Sequence, residues 1–327
     1  MGLNVQPCHP LFGAEIQGVD VSQDIDDATI KRIDDAFNNY SVLFLRDQHL
    51  TAEQHVRFAA RLGKLEIHFL KQYLHPEHPE LITISNVIEN GKPVGVVDAG
   101  QFWHTDLSYV EKPSRGSILY AIEIPEKDGQ ALGDTLFAST AAAYDALPGS
   151  MKERLQGLKA IHRYGYRFQK HLERGSRRAE LTKEQKETPD AIQPVIRTHP
   201  VTGRTCIYVN EGFTVGIVGM PEEESRPLLE ELFAHCTRPE FIYRHKWRVG
   251  DMLMWDNCAT QHNAIGDYKW PQRLCCGKRR WRALSRSKAN ASRADDRRGA
   301  LAGRACAQPA RLHRRGSDAY CGCIDRF

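Results

Sequence analysis

The amino-acid sequence predicts a mainly β protein with flanking helices (α+β). Short apolar segments of strand length recur along the first 273 residues and are separated by turn residues such as Asn90-Gly91 and Val249-Gly250. Only a few stretches have helical spacing, and they do not alternate regularly with the strands. Many strands with a few helices at one side favour a β-barrel-like core over repeated β-α units.

Two N-terminal stretches carry the clearest helical signals. Ile30, Ile33 and Phe37 recur at the spacing of one helix face. Thr51 and Gln54 form a capping-box pattern, in which each side chain bonds the backbone of the other residue, at the start of a second helix. Further helices are predicted over 140–147 and from Pro221 onward.

The strand predictions follow apolar runs bounded by Gly, Pro, Asn and Asp. They comprise 41–46, 81–87, the segment around His104, 116–124, a strand beginning at Gly133, the hairpin of 195–198 and 206–209, 241–247 and 251–255. Residues 169–190 are dense in Lys, Arg and Glu, and they predict either a mobile lid or a plain solvated insertion.

Composition limits the class of protein. A chain of 327 residues is long enough to bury a sizeable core. No apolar run approaches the roughly 18 residues of a membrane span, and the N-terminus lacks a basic region followed by an apolar one, so we expect a cytoplasmic protein that does not bind membranes. The nine scattered cysteines indicate reduced thiols rather than a disulfide framework.

The net charge of +4 combines two unlike regions. Residues 274–327 hold 14 Lys and Arg against 4 Asp and Glu, a balance of +10, whereas residues 1–273 hold 31 against 37, a balance of −6. The basic excess therefore lies wholly in the C-terminal region, and it does not predict that the main domain binds nucleic acid.

A metal site is predicted around Phe102-Trp103-His104-Thr105-Asp106. In an extended strand, side chains two positions apart share a face, so His104 and Asp106 could aim at one ion. The His-x-acid pattern alone is weak, because it occurs four times among 14 histidines. Of the four occurrences, only His104 and Asp106 have apolar and aromatic neighbours in the sequence. The simpler interpretation of this pair is a core histidine hydrogen-bonded to a nearby aspartate.

His262 is the best candidate for a third ligand. Two neutral imidazoles and one carboxylate leave other positions on the ion open, which is the arrangement of non-haem Fe(II) oxygenases. Arg273 could then hold a distant carboxylate of a co-substrate, with Thr135 adding a hydrogen bond. Taken singly, Arg273 is a surface arginine and Thr135 a hydroxyl at the end of a strand.

Five motifs in order resemble the taurine dioxygenase / 2,4-D dioxygenase (TauD/TfdA) family of Fe(II)- and 2-oxoglutarate-dependent dioxygenases. They are Phe102-Trp103-His104-Thr105-Asp106, Gly133-Asp134-Thr135-Leu136, Arg197-Thr198-His199-Pro200, Val209-Asn210-Glu211-Gly212-Phe213, and Trp255-Asp256-Asn257 with Gln261-His262, Asp267-Tyr268 and Arg273. The resemblance spans roughly residues 3–273. It implies a double-stranded β-helix (jelly-roll) core. It also implies that the protein uses Fe(II) as its cofactor, with 2-oxoglutarate and O2 as co-substrates.

The resemblance also assigns roles to residues. It implies that His104, Asp106 and His262 bind iron, and that Thr135 and Arg273 hold the far carboxylate of 2-oxoglutarate. The implied reaction converts 2-oxoglutarate to succinate and CO2 while a C–H bond of a small anion is hydroxylated. Such an anion is a sulfonate, sulfate ester or aryloxyalkanoate. Three more residues, His68, Tyr73 and Phe213, are predicted near the substrate, and a homodimer or homotetramer is suggested.

Departures from the family pattern concentrate after Arg273. The position of a second, substrate-binding arginine is Gly277, and the final strand is replaced by an Arg-rich region holding five of the nine cysteines. We therefore predict a dioxygenase domain over 1–273 and an atypical basic tail over 274–327, frameshifted or disordered, with the last core strand missing or replaced. A genuine basic extension is the simpler alternative, and a nucleic-acid-binding arm is a third. Taurine itself is disfavoured because the family's Asn before Trp103 is absent.

Two other functions use the same residues. A Zn(II)-dependent hydrolase would employ two histidines and one carboxylate to activate water, without needing Thr135 or Arg273. A ligand-binding relative would retain the pocket but fail to turn over because of its altered C-terminus.

Overall fold

The computed structural model describes residues 2–97, 99–166, 181–269 and 272–282. The helices are α1 (Asp27–Tyr40), α2 (Ala52–Leu62), α3 (Thr140–Asp145), α4 (Gly149–Arg154), α5 (Lys183–Lys186) and α6 (Glu222–Cys236), with 3-10 turns at Lys71–Tyr73 and Pro239–Phe241. The remaining regular structure is strand.

The strands are, in chain order, β1 (Asn4–Pro7), β2 (Ala14–Gln17), β3 (Val42–Leu45), β4 (Lys64–Leu65), β5 (Ile82–Ser85), β6 (Ile88–Glu89), β7 (Lys92–Pro93), β8 (Gly116–Glu123), β9 (Glu126–Lys127), β10 (Gln130–Ala131), β11 (Thr135–Ser139), β12 (Lys159–His162), β13 (Ala191–Pro194), β14 (Ile196–Thr198), β15 (Thr205–Ile207), β16 (Thr214–Ile217), β17 (Ile242–His245), β18 (Met252–Asp256), β19 (Thr260–Ala264) and β20 (Cys275–Arg282).

The two predicted N-terminal helices are present with the expected caps. Asp26 begins α1 by accepting a hydrogen bond from the Thr29 backbone N–H at 2.7 Å. The capping box of α2 is complete, because Gln54 donates its backbone N–H to the Thr51 hydroxyl and accepts the Thr51 N–H through its own side chain. Both helices pack on the same sheet.

That large sheet has the strand order β1-β2-β3-β18-β8-β20-β4, with β5 also paired to β20. Alternate side chains along each strand face opposite sides. Met252, Met254 and Ile118 pack against α1 and α2, while Leu253 and Trp255 point to the interior. The sheet therefore presents apolar side chains on both faces.

A smaller sheet, β17-β11-β19, covers the interior face. Phe137 on β11 and Tyr243 on β17 join Trp255 of the large sheet in one apolar cluster. A further sheet, β13-β12-β16, packs with α3 and α6 around Leu228, Leu229 and Leu232. The predicted mainly β fold with flanking helices is confirmed, with the two facing sheets forming the jelly-roll core.

One sequence-based expectation needs correction. The segment from Phe102 to Asp106 is not a continuous strand, because only His104 forms a β-bridge and the chain turns at Leu107, whose φ is 55°. The strands β17 and β18 follow each other in sequence but pair in different sheets. For the predicted lid over 169–190, residues 169–180 lie outside the described residues, and Lys183–Lys186 is helical.

The last core strand is not missing, since the atypical residues themselves form it. Strand β20 pairs with β8 over Cys275–Trp281 and also with β4 and β5. Its side chains alternate, so that Lys278 and Arg280 face the interior while Arg279 and Trp281 face the helices. The division of the chain at residue 273 stays a prediction, and so does the frameshift.

Trp281 fixes β20 against the helices. Its indole is fully buried and lies 5.5 Å from the Phe37 ring, between centroids. It occupies space that a side chain at Gly116 or Gly63 would fill, because a Cβ at either position would overlap the indole. The described part of the chain contains no helix long and apolar enough to cross a lipid bilayer.

Replacement of Trp281 by alanine should lower the free energy of unfolding by about 3–5 kcal/mol, the usual cost of removing a buried tryptophan. Urea denaturation followed by circular dichroism measures it. Val249→Ala, at a position that is 59% exposed, is the matched control and should change stability by less than about 0.5 kcal/mol. Equal stability of Trp281→Ala and wild type would mean that β20 does not pack as described.

Candidate metal centre and cavity

Two backbone hydrogen bonds bring His104 and His262 together. The His104 N–H donates to the His262 carbonyl at 3.0 Å, and the His262 N–H donates to the His104 carbonyl at 2.8 Å. His262 belongs to β19 and is itself held opposite Phe137 on β11. The imidazole centroids are consequently 4.1 Å apart.

Asp106 completes a group of three potential ligands. One ligand atom from each of His104, Asp106 and His262 lies within 4.8 Å of the others, and all three residues are buried. Thr105, between them, points away and places its hydroxyl 3.0 Å from the Asn257 carbonyl and 2.6 Å from the Thr260 carbonyl. The loop is thereby fixed to the residues that precede His262.

Hydrogen bonding determines which ring nitrogen of His104 is available to a metal ion. Its Nδ1 lies 2.8 Å from the Phe102 carbonyl, which can only accept, so Nδ1 carries the proton and Nε2 has a free lone pair. Nε2 is 3.9 Å from an Asp106 oxygen. The Nδ1 of His262 is buried and has no hydrogen-bond partner among the described residues.

Burial keeps both imidazoles neutral. It lowers the pKa of His104 to about 4 and that of His262 well below its ordinary value, with the neighbouring His104 adding to the effect on His262. Neutral imidazoles are the form that binds metal ions. Together with an ionised aspartate, they fit the donor set of a divalent transition metal.

Asp106 is ionised because cations surround it. Burial alone would raise its pKa, but Lys278 and Arg280 hold that pKa well below the usual range. The Lys278 ammonium lies 3.0 and 2.8 Å from the two carboxylate oxygens, and an Arg280 nitrogen lies 3.5 Å from one of them. The Ser117 hydroxyl donates a further bond at 2.6 Å. Burial in turn lowers the pKa of Lys278 to about 8.

A cavity of about 160 Å³ adjoins these residues. One part of its wall comes from an aromatic cluster on loops, formed by Phe102, Tyr109 and Phe213 with Tyr164 beside it. The rest comes from apolar side chains of the two facing sheets and from Thr135, Trp247, Lys278 and Arg280. The cavity is therefore mainly apolar, with the potential metal ligands and two cations on its surface.

Gly212 allows the aromatic cluster to pack against the loop that carries His104 and Asp106. A Cβ at this position would lie 2.5 Å from the Phe102 ring and 3.0 Å from the His104 Cβ, so any larger residue would displace both. The backbone N–H of Gly212 donates to the Trp103 carbonyl at 3.1 Å. Gly212 and Phe213 of the Asn210-Glu211-Gly212-Phe213 motif thus pack around His104.

Comparison with known proteins places the chain in a family. Residues 4–283 match the model of the "Taurine catabolism dioxygenase TauD, TfdA family". The chain belongs to the TauD/TfdA family. The match extends through β20, so the atypical strand occupies sequence that the family model covers.

Characterised relatives and solved structures agree with this assignment. The alpha-ketoglutarate-dependent 2,4-dichlorophenoxyacetate dioxygenase of Cupriavidus pinatubonensis is 35% identical over 274 residues, covering 80% of this chain and 92% of the relative. The alpha-ketoglutarate-dependent sulfate ester dioxygenase of Pseudomonas putida is 33% identical, with coverage of 83% and 87%. A taurine dioxygenase from Burkholderia xenovorans superposes with a TM-score of 0.71 at 30% identity, covering 86% of this chain and 90% of its own.

A fourth comparison includes bound molecules. The structure of AAD-2 in complex with Mn(II) and N-oxalylglycine has a TM-score of 0.72 at 28% identity, covering 87% of this chain and 99% of that one.

The two residues that the TauD/TfdA resemblance assigns to 2-oxoglutarate lie in different surroundings. Thr135 lines the cavity, where its hydroxyl accepts a hydrogen bond from the Trp247 indole at 3.0 Å. Arg273 is not among the residues that line the cavity, and its guanidinium pairs with Glu123 at 3.0 Å. The role of Arg273 in holding the co-substrate stays a prediction.

The three residues predicted to lie near the substrate also have different positions relative to the cavity. Phe213 lines the cavity 5.9 Å from the His104 ring, between centroids. His68 lines it as well, and burial lowers its pKa well below the ordinary value. Tyr73 lies on the 3-10 turn Lys71–Tyr73 and is not part of the cavity wall. Their contact with a substrate stays a prediction.

Sequence reasoning missed the two cations on β20. Lys278 and Arg280 were assigned to the tail because the whole C-terminal region is basic. The signal that could have identified them is their spacing of two, which places both on one face if the segment is a strand. Tyr109 and Tyr164, which line the aromatic side, were also not predicted.

Replacement of His262 by alanine should weaken binding of a divalent metal ion at least about 100-fold, because two ligands hold such an ion far less tightly than three. Titration of metal-free protein with Mn(II), followed by the electron paramagnetic resonance of the free ion, measures it. Asn263→Ala is the control, since the adjacent side chain on β19 points the other way. Unchanged affinity in His262→Ala would exclude this residue as a ligand.

Proposed function

We propose that the chain is an Fe(II)- and 2-oxoglutarate-dependent dioxygenase that hydroxylates a small anionic organic substrate. The observation that carries the proposal is the buried group of His104, Asp106 and His262 on the wall of a cavity, in a chain of the TauD/TfdA family. Several relatives are named as alpha-ketoglutarate-dependent dioxygenases of aryloxyalkanoates or sulfate esters.

The three proposed ligands suit Fe(II) and leave room for reactants. Neutral His104 and His262 with ionised Asp106 make the two-histidine, one-carboxylate set typical of non-haem iron oxygenases. These residues would hold a ferrous ion, which would supply the O2 activation that couples oxidation of 2-oxoglutarate to succinate and CO2 with hydroxylation of the substrate. The apolar walls, including Phe213 and Trp255, exclude water from this chemistry.

We assign the far carboxylate of 2-oxoglutarate to Thr135 and Arg273. Thr135 accepts a hydrogen bond from Trp247, so its own hydroxyl proton is available to a carboxylate in the cavity. Arg273 is about one-third exposed and now pairs with Glu123. Its contact with Glu123 is made through Nε, so we assign the carboxylate of the co-substrate to the terminal guanidinium nitrogens.

The cavity wall favours an anion with an apolar body. Lys278 and Arg280 outnumber the single carboxylate of Asp106, so the buried charge before any ligand binds is positive. The Nε of Arg280 is buried and has no hydrogen-bond partner among the described residues, which leaves a donor for an acidic group. The aromatic surfaces of Tyr109 and Phe213 suit the remainder of the substrate.

We place the enzyme in the cytoplasm. Six cysteines in the described ranges are free thiols, among them the adjacent Cys275 and Cys276. Reduced thiols fit a reducing compartment. Homo-oligomerisation stays a prediction from the family resemblance.

Purified protein supplied with Fe(II), 2-oxoglutarate, O2 and an anionic substrate should form succinate. Mass spectrometry of succinate and of the product, across aryloxyalkanoates, alkyl sulfates and sulfonates, measures it. Omission of 2-oxoglutarate or chelation of iron should abolish product formation. Substrate hydrolysis with Zn(II) and without 2-oxoglutarate would instead support the hydrolase, and ligand binding without succinate would support the non-catalytic relative.

Arg273→Met should raise the KM for 2-oxoglutarate about 10–100-fold, the effect of losing a charge-assisted pair. Glu123→Gln is the matched variant, because it removes the present partner of Arg273 but leaves the guanidinium. We expect it to leave the KM unchanged or lower it. An equal increase of the KM for 2-oxoglutarate in both variants would mean that Arg273 only forms an ion pair with Glu123 and does not hold the co-substrate.

A further inference from the structure

Asp106 has three polar partners, which together contact both of its carboxylate oxygens. A carboxylate offers about four lone-pair positions. The Lys278 ammonium contacts both oxygens, the Ser117 hydroxyl binds one at 2.6 Å, and Arg280 approaches the other. The oxygen nearest His104 Nε2 is the one that Arg280 approaches and that Lys278 contacts at 3.0 Å.

These cations are held in place by the fold. Lys278 lies on β20 between paired neighbours, and its ammonium also sits 4.8 Å from the centroid of the Trp255 ring. Its side chain and that of Arg280 are each only 10% exposed. A buried ammonium cannot move into water at little cost, so it stays beside Asp106 when a second cation arrives.

We propose that Lys278 and Arg280 compete with the metal ion for Asp106, so that this chain binds a divalent ion more weakly than its three ligands alone would allow. The inference rests on the proposed function, since it takes Asp106 as a ligand. A dication that shares this carboxylate is repelled by two neighbouring positive charges, and the repulsion is weakly screened in a buried site.

The opposite role for Lys278 would be to orient Asp106. A neighbour that only fixes the position of a ligand raises metal affinity, and its loss weakens binding. The two roles therefore predict changes of opposite sign when the charge of Lys278 is removed. The sign is measurable without turnover.

The test is a titration of metal-free protein with Mn(II) in the absence of 2-oxoglutarate. Lys278→Met, which keeps the length of the side chain but removes its charge, should bind Mn(II) at least about tenfold more tightly than wild type. Arg280→Met should give a smaller gain of about threefold or more, because Arg280 makes one longer contact. Equal or weaker binding in Lys278→Met would overturn the proposal.

Arg279→Met is the matched control, because Arg279 is a buried cation of the same strand whose guanidinium lies 3.8 Å from the Glu80 carboxylate. Its affinity for Mn(II) should equal that of wild type. Circular dichroism establishes that each variant is folded, and Arg280→Met decides the question if Lys278→Met does not fold. If neither wild type nor Lys278→Met binds Mn(II), the proposed function fails together with this inference; if both bind equally, only this inference fails.

Discussion

The two backbone hydrogen bonds between His104 and His262 are the constraint on which the site depends. They join an irregular loop to β19, and β19 is in turn fixed by its pairing with β11. Because main-chain groups make these bonds, the distance between the two imidazoles is set by the sheet rather than by side-chain packing. The position of Asp106 then follows from the turn after Thr105, whose hydroxyl contacts the opposite side of the same junction.

Much of the fold could be predicted from local patterns. The capping box of α2, the hairpin of β14 and β15 and the helix after Pro221 all appear where the sequence predicts them. Each depends on residues close in sequence. The pairing of β17 and β18 with different sheets could not be predicted, because partner choice depends on long-range packing that no local pattern records.

The sequence predicts the three potential metal ligands but not the two cations that lie beside them. His104, Asp106 and His262 carry recognisable spacing and neighbours, and the structure brings them together. Lys278 and Arg280 lie in a run of basic residues that composition alone assigns to solvent. Their burial depends on β20 pairing with β8, and on the ion pairs that offset the cost of burying charge. For Arg273, the motif predicts a role in binding 2-oxoglutarate. It does not predict the ion pair with Glu123 that the structure contains.

The alternation of side chains along β20 links the packing of the last strand to the charge beside Asp106. A shift of this strand by one residue relative to β8 would send Trp281 toward the cavity and the two cations toward the helices. The core contact with Phe37 and the positive charge beside Asp106 would then be lost in the same step. Strand register thus determines both how firmly the last strand is anchored and which electrostatic potential the proposed metal ligands experience, so a register shift cannot change one without the other.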